Sequence, residues 1–166
     1  MKTWYSCKVK HNKEGDDGLL KQVTEAFLLD AVSYTDAEAR INEVTARDIS
    51  GEFSVTHIAK TNIAEVINYE DSDTWFKCKV SYSTVDGDSE KEVKVNTYLL
   101  VCALHVKQAF ERIEKHFEGM LVPYDIPSIT QTNFIEVYPY IADEIPSNLK
   151  PISEVEIEEE TEEVEE

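Results

Sequence analysis

The chain has 166 residues, of which 42% are hydrophobic and 10% aromatic, and a formal charge of −18. This length suits one compact domain or two small halves sharing a core, and the apolar content excludes global disorder. No run approaches the ~18 apolar residues of a membrane span. Lys2, Lys8 and Lys10 also interrupt the N-terminus, which has no apolar signal-peptide core, so a cytoplasmic location without membrane contact is expected.

The first strand is expected over residues 4–10. Tyr5, Cys7 and Val9 share one face, and Trp4, Ser6, Lys8 and Lys10 the other. A Gly- and Asp-rich turn at residues 13–18 closes a hairpin onto a second strand at 22–31. Thr35-Asp36-Ala37-Glu38 has the capping-box pattern; Ala37, Ile41 and Val44 follow at helical spacing, and Gly51 is the expected stop. Two edge-like strands follow, at residues 53–59 and 63–69.

Then the pattern starts again. Trp75-Phe76-Lys77-Cys78-Lys79-Val80 restates Trp4-Tyr5-Ser6-Cys7-Lys8-Val9 after 71 positions. Phe76, Cys78, Val80 and Tyr82 alternate with Trp75, Lys77, Lys79 and Ser81. The same offset carries Leu28-Leu29 onto Leu99-Leu100, and Thr61-Asn62 with Glu65 and Tyr69 onto Thr132-Asn133 with Glu136 and Tyr140. Ala37, Arg40 and Ile41 meet Ala109, Arg112 and Ile113 at 72, so one residue is expected to enter before the second helix and drop out after it. The second hairpin turns at residues 86–89 into a strand at 92–101, where Val93, Val95, Thr97 and Leu99 alternate with Lys94, Asn96 and Tyr98. The second helix puts Val106, Phe110, Ile113 and Phe117 on one apolar face and ends near Gly119. Strands at residues 124–129 and 134–140 complete the set, with Pro123, Pro127 and Pro139 marking edge or bulged positions.

The expected fold is α+β: a tandem duplication of a strand-strand-helix-strand-strand unit, residues 1–71 and 72–141, in one compact domain. The economical arrangement is a pseudo-twofold, curved antiparallel sheet with both helices on one face. Residues 142–166 read as a linker and a disordered acidic tail; residues 154–166 hold nine Glu and no cation, and removing those nine leaves −9.

Trp4, Lys8 and Lys10, and again Trp75, Lys77 and Lys79, form the sharpest constellation. Aromatic rings beside ammonium groups suit single-stranded nucleic acid, in which bases stack and phosphates pair with cations. The bland alternative packs both Trp side chains into the protein and leaves the lysines solvating a face. An acidic tail can compete for such a cationic surface or engage a protein partner, whereas the residual −9 repels phosphate unless charge is segregated. An acidic protein-interaction module or inhibitor, a nucleic-acid mimic acting on a host protein, is the rival reading. Glu65 and Glu136 could hold a metal or serve as acid and base, but they read more simply as turn-associated, as do Asn62 and Asn133. His11, His57, His105 and His116 have no counterparts in the other half, and Cys102-x-x-His105 lacks two further zinc ligands. Neither a nucleophile elbow nor a phosphate-cradling glycine loop occurs. A non-enzymatic protein without cofactor or metal is expected, its three cysteines reduced and buried.

The segments Thr3-Trp4-Tyr5-Ser6-Cys7-Lys8-Val9-Lys10, Val23-Thr24-Glu25, Leu29-Asp30-Ala31, residues 35–41, Ile49-Ser50-Gly51-Glu52-Phe53 and Val137-Tyr138-Pro139-Tyr140 resemble the family called domain of unknown function 4494. The resemblance covers roughly residues 1–140 and not the acidic tail. It implies a bacterial or bacteriophage source, often within mobile elements. It implies no activity and carries over no site residue.

Overall fold

A computed structural model describes residues 2–88 and 90–140; the expected linker and acidic tail lie outside the described residues. The chain is α+β. It runs β1 (Thr3–Glu14), β2 (Leu20–Ala31), α1 (Tyr34–Asp48), β3 (Phe53–Lys60) and β4 (Ile63–Ile67). The same order follows in β5 (Trp75–Val85), β6 (Glu92–Cys102), α2 (Val106–His116), β7 (Tyr124–Gln131) and β8 (Phe134–Tyr138).

The strands form two four-stranded sheets, ordered β3-β1-β2-β8 and β4-β6-β5-β7. Each sheet takes its fourth strand from the other half of the chain. β8 lies parallel to β2 and β4 parallel to β6, while the remaining pairs are antiparallel. The expected single antiparallel sheet with both helices on one face is corrected to two mixed sheets, each with its own helix. The reason is reach. The place beside β2 is three strand spacings from β3, about 14 Å. The link Thr61-Asn62 spans at most about 11 Å, so β4 cannot reach the place beside β2, and it crosses to the other sheet. The corner is the same in both halves. Thr61 donates its backbone N–H (2.9 Å) and its hydroxyl (2.8 Å) to the Trp4 carbonyl. Thr132 donates the same two groups to the Trp75 carbonyl, at 2.8 Å each.

Register also corrects one correspondence. Trp4 faces Asp30, and Trp75 faces Cys102. Leu28 therefore matches Leu100, and Leu29 matches Val101, 72 positions apart rather than 71. The extra residue does enter before α2, and the register places it in the second hairpin, ahead of β6, rather than between β6 and α2.

Three apolar clusters hold these layers. Tyr5, Cys7, Val9, Phe27, Leu29 and Ala31 pack under Ala37, Ile41 and Val44 of α1. Phe76, Cys78, Val80, Leu99, Val101 and Ala103 pack under Ala109 and Ile113 of α2. The third cluster joins the two sheets through their helix-free faces: Leu28 and Val137 of the first sheet meet Ile63, Trp75, Leu100 and Cys102 of the second, flanked by Trp4, Val66 and Phe134. The helices therefore cover the two outer faces. Each large side chain buried in this way contributes about 1.5–3 kcal/mol. Cys7, Cys78 and Cys102 are buried free thiols, and burial pushes the Cys7 and Cys78 thiols up to about 12.

The first helix starts two residues earlier than the capping pattern suggested. Ser33 is the N-cap: its Oγ accepts the Asp36 N–H (3.1 Å), and the Asp36 carboxylate accepts the Val32 N–H (3.0 Å). The second helix uses His105 in the same way, with Nδ1 accepting the Gln108 N–H at 3.1 Å. Its buried residues are Ala109, Arg112 and Ile113. Val106 and Phe110, expected on the buried face, are 52% and 42% exposed. Turning Arg112 inward rotates them out. Among the described residues no helix is long and apolar enough to cross a membrane.

Candidate nucleic-acid interface

The candidate residues begin at the junction between the sheets. Trp75 is 4% exposed, and Trp4 is half-buried against the same cluster. Neither ring stands free as a stacking platform, which corrects that part of the expected site. The two helix-free faces meet at their Trp ends, and an indole is the largest apolar surface available to seal that junction.

Beyond the junction the same faces turn polar. Residues paired directly across an antiparallel ladder share a face. In the first sheet Lys8 stands between Ala26 and His57, Lys10 between Thr24 and Ser54, and Asn12 beside Gln22. None of these is a carboxylate. In the second sheet Lys77 stands between Leu100 and Thr130, Lys79 between Tyr98 and Ser128, and Ser83 beside Lys94. Carboxylates on these faces are Asp30 opposite Trp4, engaged by Arg40, and Glu14 opposite Leu20 in the first sheet, and Asp125 opposite Ser81, next to the Lys79 pair, and Glu92 opposite Val85 in the second. In a chain with 34 acidic residues against 16 Lys and Arg, this distribution is segregated.

The cations on these faces are also unengaged. Among the described residues, Lys8, Lys10, Lys79 and Lys94 take part in no ion pair. Lys77 lies over the Tyr98 ring, 4.9 Å from its centroid. Tyr98 and Lys94 are members that the Trp-centred reading missed. The signal for them was the alternation of Lys94, Asn96 and Tyr98 against Val93, Val95 and Thr97, which assigns them to the face opposite α2.

The other candidates resolve into structural roles. Glu65 of β4 meets His116 of α2 at 3.0 Å. Glu136 lies in β8, in the other sheet, two residues from Tyr138, whose hydroxyl donates to Asp48 at the end of α1 (2.9 Å). Burial and that carboxylate hold the Tyr138 phenol well above its ordinary range. The two glutamates therefore belong to opposite outer faces and do not converge. Among the described residues no group of three or more His, Cys, Asp or Glu is placed to hold a metal. His11 is buried, with Nε2 3.4 Å from a Glu25 oxygen but no hydrogen bond.

Arg40 and Arg112 act as clamps. Arg40 donates to the Asp30 carbonyl and, at 2.9 Å, to the Asp30 carboxylate, which also accepts the Tyr140 N–H at 2.6 Å. Its guanidinium lies 5.1 Å from the centre of the Tyr140 ring. Arg112 donates to the Cys102 carbonyl (2.6 Å) and to both oxygens of Asp71, and it lies 4.1 Å from the centre of the Tyr69 ring. The Arg112 guanidinium holds the Asp71 carboxyl below the usual carboxylate range.

With this geometry in view, the comparison with known families is direct. The model of the family described as domain of unknown function (DUF4494) matches residues 3–140, and the chain belongs to that family. No curated protein and no solved structure matches it.

Proposed function

We propose that this DUF4494 member is a non-enzymatic binding protein that holds single-stranded nucleic acid on the helix-free faces of its two sheets. The observation that carries the reading is that no carboxylate is paired directly with Lys8, Lys10, Lys77 or Lys79 across either ladder, in a strongly acidic chain. Charge segregation is what phosphate binding requires here, because uniform negative charge would repel the ligand. Lysines at alternate strand positions stand about 7 Å apart on one face and meet the backbone of an extended strand. Hydroxyl and amide side chains between them offer further hydrogen bonds. Tyr98, with Lys77 beside its ring, is the stacking residue. Trp4 and Trp75 act indirectly, by fixing the angle between the two faces.

We also infer that the two halves arose by tandem duplication and are related by a pseudo-twofold. Support comes from the shared element order, the Trp–Thr corner and the arginine clamp, each present twice. A setting in a phage or mobile element rests on the family resemblance alone.

The test is fluorescence anisotropy with labelled single strands at low salt. Wild type binds, and the variant carrying Lys8→Glu, Lys10→Glu, Lys77→Glu and Lys79→Glu loses binding while keeping its circular dichroism. Absence of binding by wild type, or unchanged binding by the quadruple variant, sinks the proposal. A protein-interaction module is the second reading, favoured by the exposure of Leu104, Val106 and Phe110 around the start of α2. It stands if no nucleic acid binds and Phe110→Asp abolishes binding to a host protein.

A further inference from the structure

We infer that the glutamate-rich segment 154–166 is the resident occupant of the lysine-bearing sheet faces and is displaced when nucleic acid binds. This rests on the reading of those faces as an anion-binding surface. Three observations support it.

The first is complementarity. The segment carries nine carboxylates and no cation. The faces present Lys8, Lys10, Lys77, Lys79 and Lys94, with no carboxylate paired directly to any of them; Glu14, Asp125 and Glu92 stand in other pairs, and Asp30 is engaged by Arg40. Of the ten other Lys and Arg among the described residues six are already engaged, Arg47 with Asp48 among them, while Lys60, Lys91, Lys107 and Lys115 take part in no ion pair. Arg40 and Arg112 are buried in their clamps, Lys13 and Lys21 pair with Glu25 and Asp17, and Lys2 covers the Tyr140 ring at 3.9 Å. The lysine faces are therefore the place where a run of glutamates gains most.

The second observation is where the described chain ends. Tyr140 is held beside Asp30, and Asp30 faces Trp4 across the first ladder. Lys8 and Lys10 lie four and six residues farther along that strand, about 13 and 20 Å away. Residues 141–153 span up to about 45 Å, so the segment reaches both lysines with slack. The third is tethering. A short covalent link gives an effective concentration in the millimolar range, so even a weak contact is occupied.

Occupation has a definite consequence. Nucleic acid must compete with an intramolecular polyanion, so binding is weaker than the lysine faces alone would give and more selective for long strands. The contact is electrostatic and loosens as salt shortens the screening length.

The experiment compares full-length wild type with a full-length variant in which all nine glutamates of residues 154–166 are replaced by Gln. Amide NMR spectra are recorded without nucleic acid at about 0.05 M salt, where charges are weakly screened. The expected result is shift changes at Lys8, Lys10, Lys77 and Lys79, which vanish at about 1 M salt. Affinity for a labelled 20-nucleotide oligothymidylate should rise about tenfold in the variant. That gain alone would also follow from the lower net charge, so the amide shifts decide. Spectra that coincide across both faces overturn the docking, even if the oligonucleotide binds. Face-specific shifts with no oligonucleotide binding by either protein support the docking and overturn the nucleic-acid reading instead. Shifts confined to the exposed α2 residues Val106 and Phe110 also overturn the docking.

Discussion

The two arginine clamps occupy matching places and are built from different parts. In each, a helix arginine reaches the carbonyl ten residues before it, at the end of the second strand of its half, and lies against a tyrosine that follows the exchanged strand. The carboxylate differs. In the first clamp Asp30 is part of the strand itself, and its carboxylate accepts the Tyr140 N–H. In the second, Cys102 stands at that position and its Sγ accepts the Tyr69 N–H at 3.0 Å. The charge comes instead from Asp71, whose side chain is 48% exposed against 12% for Asp30. The comparison teaches that the position requires an arginine, a strand carbonyl and a ring, while the anion is supplied from wherever it can reach.

Four experiments bear on that contrast. The largest effect is expected from Asp30→Ala, which leaves Arg40 buried without its charge partner and costs about 3–5 kcal/mol in denaturant unfolding. A cost below about 1 kcal/mol would show the first clamp to be as dispensable as a surface pair. Next come the rings: Tyr140→Leu and Tyr69→Leu should each cost about 1 kcal/mol through the lost cation–π contact, equally in the two halves if the clamps are equivalent.

Smaller still is Asp71→Asn, since the carboxylate is largely solvated. Its effect carries a pH signature. The folded carboxyl is held below its ordinary value, so its stabilisation is present above about pH 4 and is lost as pH falls through the folded value. The gap in melting temperature between wild type and Asp71→Asn should close in acid. Adding Cys102→Asp to Asp71→Asn should restore part of the loss at neutral pH by rebuilding the first clamp in the second half, and failure to do so would show the anion's position to matter after all. The smallest effect concerns the thiols common to both halves. Burial pushes Cys7 and Cys78 up to about 12, so both should resist alkylation at pH 8 in the native protein and react on unfolding. Fast native labelling would mean that one half opens locally.

Much of this was legible in the sequence, and the limits have physical causes. The alternation of Tyr5, Cys7 and Val9 against Trp4, Lys8 and Lys10 assigns faces correctly, because a strand's period of two fixes sides. It does not assign partners, so the exchange of β4 and β8 was hidden. The exchanged strands also break alternation: Ile63 and Val66 share the inter-sheet cluster because the register shifts between Ile63 and Glu65. In α2, counting only apolar residues pointed Val106 and Phe110 inward, whereas the buried polar member, Arg112, sets the rotation. For the candidate site, the lysines were visible and their neighbours across the ladder were not. The absence of carboxylates beside Lys8 and Lys10 is a property of register, which no single strand contains.

The exchanged fourth strands also bear on the timing of synthesis. β2 is complete at Ala31, but its outer neighbour β8 ends at Tyr138. At ordinary translation rates the intervening chain takes about 5–20 s to appear. For that interval the edge of β2 has no native cover, and β4, drawn off by its two-residue link, cannot supply one. An unprotected edge of that kind is where nascent chains pair with one another, so production of this protein should favour dilute expression, with few chains made at once, over rapid accumulation.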